Sequence, residues 1–221
     1  MCGINGIISD RNELDLKDRI VRMNQSLAHR GPDAQGLFCK DGFGFGHTRL
    51  SILDLSENGS QPMISLDSRY VISFNGEVYN FEELRKKVKD YPFKSNTDTE
   101  VVLALFSKFG LDMVDTLEGM FAISIFDKVS QVLYLIRDRL GQKPIYYFKN
   151  EQGFGFSSEM RALLSSGLIR GELSRQGLEN FIATKTVFEP NTILKNIYMV
   201  PKASILTFKS GEITIKKYWK P

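Results

Sequence analysis

Met1-Cys2-Gly3-Ile4-Asn5-Gly6-Ile7-Ile8 opens the chain. A thiol stands second, and the apolar run from Ile4 to Ile8 reads as a short buried strand directly behind it. An initiator Met is normally clipped when the next side chain is as small as Cys. Clipping exposes an α-amine on the residue that carries the thiol, so one residue holds both nucleophile and general base. An α-amine has a reference pKa of about 8 and is partly unprotonated near neutrality. Read by itself, Cys2 fits a small buried hydrophobe better than a nucleophile. The remaining sequence has to decide between the two.

Working outward, the chain has 221 residues, 42% hydrophobic and 25% charged, which suits one soluble globular domain spanning 1–221. The net charge of +3 is spread rather than clustered, which speaks against nucleic-acid or membrane surfaces as partners. No apolar run is long enough to span a bilayer, and the start is too polar from Asp10 onward for a secretory signal. Cys2 and Cys39 are the two thiols, so a disulfide framework is not expected and the cytoplasm is the expected compartment. With only His29 and His47 beside them, no metal site is expected.

Helical periodicity starts at Asp15, with Leu16, Ile20, Met23 and Leu27 on one face and Asp15 as cap. Arg30-Gly31-Pro32-Asp33 ends that helix, because a residue before Pro avoids the α region. Strands are expected over 43–50, 70–74, 120–127, 132–137, 145–149 and 153–157. A helix starting at Asn80 has Glu83 at capping-box spacing, and a second runs from about Thr97 to Phe109 and stops at Gly110. Shorter helices are expected over 159–164 and 176–183. The tail from Ile193 to Trp219 reads as strand with a turn at Lys209-Ser210-Gly211-Glu212. Strands outnumber helices and follow one another through short turns, which favours antiparallel sheets packed against helices, an α+β arrangement.

Polar clusters interrupt these patterns. Arg49 at a strand end suits bidentate capture of a carboxylate, or equally a surface pair with Asp54. Asn75-Gly76 is the commonest type I′ hairpin dipeptide, yet an amide beside a Gly N–H also offers two donors to an oxyanion. Asp98 either caps the following helix or pairs with an ammonium group.

Together these clusters form a constellation. Met1-Cys2-Gly3-Ile4, His29-Arg30-Gly31-Pro32-Asp33, Arg49-Leu50-Ser51-Ile52, Asn75-Gly76-Glu77 and Asp98 resemble the class II glutamine amidotransferases. Their order and spacing are most similar to the glutaminase domain of asparagine synthetase. Arg137-Asp138-Arg139-Leu140-Gly141-Gln142-Lys143-Pro144, Ser157-Ser158-Glu159 and the stretch from Ile193 to Pro201 look like the same subgroup, with Lys202 a departure from its usual Pro or Gly.

The resemblance implies an N-terminal-nucleophile (Ntn) hydrolase fold, an αββα sandwich of two antiparallel sheets between helical layers. It implies that Cys2 attacks the side-chain amide of glutamine while Asn75 and Gly76 hold the oxyanion. Arg49 would bind the substrate α-carboxylate, Asp98 aided by Glu77 the α-ammonium, and Leu50 and Ile52 would form backbone or wall contacts. The Arg30–Asp33 loop is expected to be structural, as is Cys39. No cofactor is implied for this step; ATP and Mg would belong to a synthetase domain whose Ser-Gly-Gly-x-Asp-Ser loop this sequence lacks. The expected partner is such a synthetase domain or subunit, with a homodimer possible, and aspartate is the favoured ammonia acceptor. Two alternatives stay open: a different acceptor such as a sugar precursor, and a non-catalytic glutamine-binding module if Met1 is retained.

Overall fold

The computed structural model describes residues 1–220. Its first strand, β1 (Gly3–Ile8), alternates Ile4 toward one core and Ile7 toward another, so both faces of this strand are buried. Helix α1 (Glu13–Ser26) covers the outer face. Its cap is Asn12, whose side chain accepts the Asp15 N–H at 2.9 Å, and not Asp15 itself. Strands β2 (Ala34–Lys40) and β3 (Phe43–Arg49) form a hairpin, and β2 carries little apolar patterning that could have announced it. A two-residue β4 (Met63–Ile64) precedes β5 (Tyr70–Val78). Two helices follow, α2 (Phe81–Lys87) and α3 (Asp98–Phe109). In α2 the expected capping box is absent: the Asn80 side chain donates to Thr116 O and accepts from Glu118 N instead.

Next come β6 (Gly119–Asp127), β7 (Val132–Arg137), β8 (Tyr146–Asn150) and β9 (Gly153–Ser157). The remaining elements are α4 (Met160–Ser165), α5 (Arg175–Thr184), β10 (Tyr198–Met199), β11 (Ser204–Lys209) and β12 (Glu212–Lys217). One antiparallel sheet has the order β10-β8-β9-β1-β3-β2, and the other β12-β11-β7-β6-β5-β4. Between the sheets lie Phe43, Phe45, Phe126, Phe154 and Phe156. Phe43 meets Phe126 across the gap at 3.9 Å between ring centroids, and Phe154 meets Phe208 at 4.4 Å. Each such ring contributes about 2–3 kcal/mol of burial free energy. The outer face of the first sheet packs on α1 and α4, and that of the second on α2 and α3. The architecture is therefore the expected αββα sandwich. No helix among the described residues is long and apolar enough to cross a membrane.

Candidate active site

Cys2 stands just before β1, and the antiparallel register Gly3↔Thr48 brings it beside the end of β3, where Arg49 and Leu50 follow. The Leu50 N–H points at the Cys2 Sγ at 3.4 Å, and the thiol lies 3.6 Å from Leu50 O. Arg30 fixes the same residue from behind: its Nε donates to Cys2 O at 2.9 Å while Nη1 pairs with Glu159 at 3.0 Å. Asp33 accepts the Ser51 N–H at 2.7 Å, so the Arg30–Asp33 loop braces the site. Burial pushes the Cys2 thiol above the ordinary cysteine range, only partly offset by the Leu50 N–H. A neutral thiol in this position needs a base to become nucleophilic.

Asn75 and Gly76 do not form a hairpin turn: β5 runs straight through them to Val78. The reason lies across the ladder, where β6 pairs with β5 residue for residue from Tyr70↔Asp127 to Val78↔Gly119. A Cβ at position 76 would lie 2.1 Å from Met120 O, so only glycine lets the two backbones approach there. Strand β4 begins only at Met63, opposite Ile72, leaving the outer edge of β5 without a strand partner beyond Ile72. On that edge the Phe74 N–H is taken by Gln61 Oε1 at 2.6 Å and the Val78 N–H by Asp98 Oδ2 at 3.0 Å. Alternation of the ladder puts the Gly76 N–H on this same edge, between them. The Asn75 side chain is 1% exposed, and its Nδ2 has no hydrogen-bond partner. A buried unpaired amide is costly and points to a missing acceptor.

Asp98 opens α3, but the cap is Thr97, whose hydroxyl accepts the Glu100 N–H at 3.2 Å. Relieved of capping, the Asp98 carboxylate sits 5% exposed against β5. Burial raises its pKa to about 6, with Glu77 adding repulsion and the Val78 N–H opposing it. Arg49 makes no ion pair with the Asp54 carboxylate. Its Nη1 donates to Ser56 O at 2.8 Å and Nη2 to Asp54 O, which leaves three of its five N–H groups. The Asp54 carboxylate accepts instead from Asn96 N at 3.0 Å and Ser56 N at 2.8 Å, and these bonds hold its pKa at about 2.

One cleft of about 210 Å³ collects all eight residues singled out from sequence: Cys2, Arg49, Leu50, Ile52, Asn75, Gly76, Glu77 and Asp98. The cleft thus holds a cation, Arg49, and two carboxylates, Glu77 and Asp98, together with the thiol and the Asn75 amide. Gln61, Thr99 and Lys143 also line it and were not anticipated. Lys143 lay within a recognised motif, but Gln61 sits in a loop that carries no periodic signal.

A family model described as a glutamine amidotransferase domain matches residues 1–219. Asparagine synthetase [glutamine-hydrolyzing] 1 of Bacillus subtilis is 38% identical over 100% of this chain and 35% of its own length. Asparagine synthetase B [glutamine-hydrolyzing] of Escherichia coli is 35% identical over 74% of this chain and 30% of its own. This chain thus spans about a third of the length of these relatives. Among solved structures, glutamine phosphoribosylpyrophosphate amidotransferase from B. subtilis covers all of this chain with 50% of its own, at a TM-score of 0.75 and 16% identity, a likeness of fold. The fold, the cleft and these matches agree, and the chain belongs to the class II glutamine amidotransferase domain family, alongside the glutamine-hydrolysing asparagine synthetases.

Proposed function

We propose that this chain hydrolyses the side-chain amide of glutamine to glutamate and ammonia, and that the ammonia serves an ATP-activated acceptor, aspartate being favoured, on a synthetase domain or subunit. The observation that carries this reading is the buried, unpartnered Asn75 amide in the cleft that also holds the Cys2 thiol. In this reading Arg49 grips the α-carboxylate of glutamine and Asp98 its α-ammonium, with Glu77 adding negative charge. Both charged groups sit on the glutamine α-carbon, so the two contacts fix that carbon and aim the side-chain amide at Cys2.

The free α-amine of Cys2 accepts the thiol proton, and the sulfur adds to the amide carbon. Oxygen charge developing there is taken by Asn75 Nδ2–H and the Gly76 N–H, each donor contributing about 3 kcal/mol. Collapse expels ammonia, which leaves with the proton held on the amine. Water, deprotonated by the same amine, then cleaves the thioester to glutamate and restores the thiol. Support for the synthetase partner comes from relatives that extend well beyond the matched part. Met1 bears on the alternative of a non-catalytic module: its side chain lines the cleft with Sδ 3.3 Å from Lys143 Nζ, and a retained Met1 makes the Cys2 nitrogen an amide.

The test is intact mass after exposure to a glutamine-mimicking electrophile. One adduct on protein lacking Met1, blocked by glutamine and absent in Cys2→Ala, is the expected result. A trimmed protein that takes no adduct overturns the enzyme reading and leaves glutamine binding to be tested alone.

A further inference from the structure

We propose that Gln61 is a positioning residue of the glutaminase reaction, its side-chain amide locking the oxyanion strand and the ammonium-binding helix start in one fixed relation. This inference rests on the glutaminase reading above and deepens it.

Gln61 is buried and touches both elements at once. Oε1 accepts the Phe74 N–H at 2.6 Å, and Nε2 donates to Thr99 Oγ1 at 3.1 Å. Phe74 immediately precedes Asn75-Gly76, and Thr99 immediately follows Asp98. The orientation of the amide is dictated by its partners: a backbone N–H only donates, so oxygen must face Phe74 and nitrogen Thr99. Gln61, two residues before β4 begins, therefore stands where that strand would have extended the ladder toward Phe74. A real strand there would pair with the Gly76 N–H as well as with Phe74. A single side chain satisfies Phe74 alone and leaves the next donor on that edge open to substrate.

The opposite backbone group of Phe74 is held in the same way. His47, in β3 of the other sheet, lies with Nε2 3.2 Å from Phe74 O. Because a carbonyl only accepts, Nε2 carries the proton and Nδ1 is bare, in keeping with the absence of a partner at Nδ1. Phe74 is thus gripped at N–H by the Gln61 loop and at C=O by the first sheet. Gln61 is the one of these two contacts that also reaches α3, so it couples transition-state stabilisation to substrate capture.

The test compares protein lacking Met1 as wild type, Gln61→Met and Thr99→Val, measuring kcat and KM for glutamine, Tm, and the rate of Cys2 alkylation by iodoacetamide. Gln61→Met keeps the length and volume but frees both ends; kcat should fall about 30-fold and KM rise about fivefold, in line with the cost of sub-ångström misplacement. Thr99→Val frees only the helix end, so KM should rise by about threefold with kcat within about twofold of wild type. Alkylation of Cys2 should stay within about threefold in both, since the thiol itself is not moved. Gln61→Met with wild-type kcat and KM overturns the inference while leaving the glutaminase reading intact. A parallel loss of alkylation and kcat also overturns it, marking a general structural role. If Gln61→Met does not fold, Thr99→Val decides, and an unchanged KM overturns the proposal. Wild type no more active than Cys2→Ala overturns the glutaminase reading and this inference with it.

Discussion

The Val78 N–H donates to Asp98 Oδ2 at 3.0 Å, tying the first residue of α3 to the strand that carries Asn75 and Gly76. The bond leaves Oδ1 for a ligand, in a carboxylate whose pKa burial has raised to about 6. Above that pH Asp98 is charged and able to hold an ammonium group; below it the group is neutral. The kcat/KM for glutamine, which reports the free enzyme, should therefore fall on the acid side with an apparent pKa near 6. Asp98→Asn should lose that acid limb and raise KM by about 30-fold, a cost typical of a charge-assisted hydrogen bond. Persistence of the limb in Asp98→Asn would assign it to another group.

Asn75 should trade stability for activity. Its Nδ2 is buried without a partner, which costs about 1–3 kcal/mol in the absence of substrate. Asn75→Ala should lower kcat by about 100- to 1,000-fold, the range for removal of one oxyanion donor. Its Tm should meanwhile hold or rise, because the unpaired amide is gone. Differential scanning calorimetry beside steady-state kinetics reads both; a large drop in Tm together with retained kcat would remove Asn75 from the site.

Gly59 matters through Arg49. A Cβ at position 59 would lie 2.3 Å from Arg49 Nη2. Gly59→Ala should push the guanidinium off its two loop carbonyls, Ser56 O and Asp54 O, and misalign the remaining N–H groups. The expected outcome is a KM for glutamine raised about tenfold with kcat little changed, the pattern of lost uniform binding. An unaltered KM would place the substrate carboxylate elsewhere.

His47 and Asp98 should oppose each other in the pH dependence of stability. Burial depresses the His47 pKa from its ordinary 6.5 to about 4. Between those values the unfolded chain binds a proton that the folded chain does not, so stability falls as pH drops from 6.5 toward 4. Asp98 is raised from 3.8 to about 6, so its burial as an anion costs stability above that range and the cost fades on acidification. His47→Gln removes only the first slope. The wild-type advantage over His47→Gln should shrink by on the order of 3 kcal/mol between pH 6.5 and 4, measured by urea unfolding at each pH. A constant difference across that window would mean that His47 is not buried neutral.

Periodicity alone located most of the sandwich, because strands such as Val132–Arg137 and Gly153–Ser157 carry their burial in their own side chains. It missed β2, which is mostly exposed and exists because β3 offers it a ladder. It placed a cap at Asp15 and a capping box from Asn80 to Glu83, where Asn12 caps one helix and the Asn80 side chain reaches away from the other, since competing partners nearby are invisible locally. The Asn75-Gly76 dipeptide was turn-like by propensity and strand in fact, because nine consecutive pairings with β6 outweigh a two-residue preference.

The sequence by itself determined the chemistry available: a thiol at position 2, a cation at Arg49 and a carboxylate at Asp98, an amide beside a glycine, and a motif order that resembles one enzyme family. Those are properties of residue type and spacing, and no folding is needed to read them. Only the tertiary structure decided which groups remain free to act. The Gly76 N–H is open because β4 is too short to cover it, and Asp98 is poised because Thr97 takes over the cap. Gln61 enters the site through contacts 13 and 38 residues away along the chain. Hydrogen-bond satisfaction is a property of the whole packed neighbourhood, so an unpaired amide at Asn75 or a clamp at Gln61 exists only once distant segments have met.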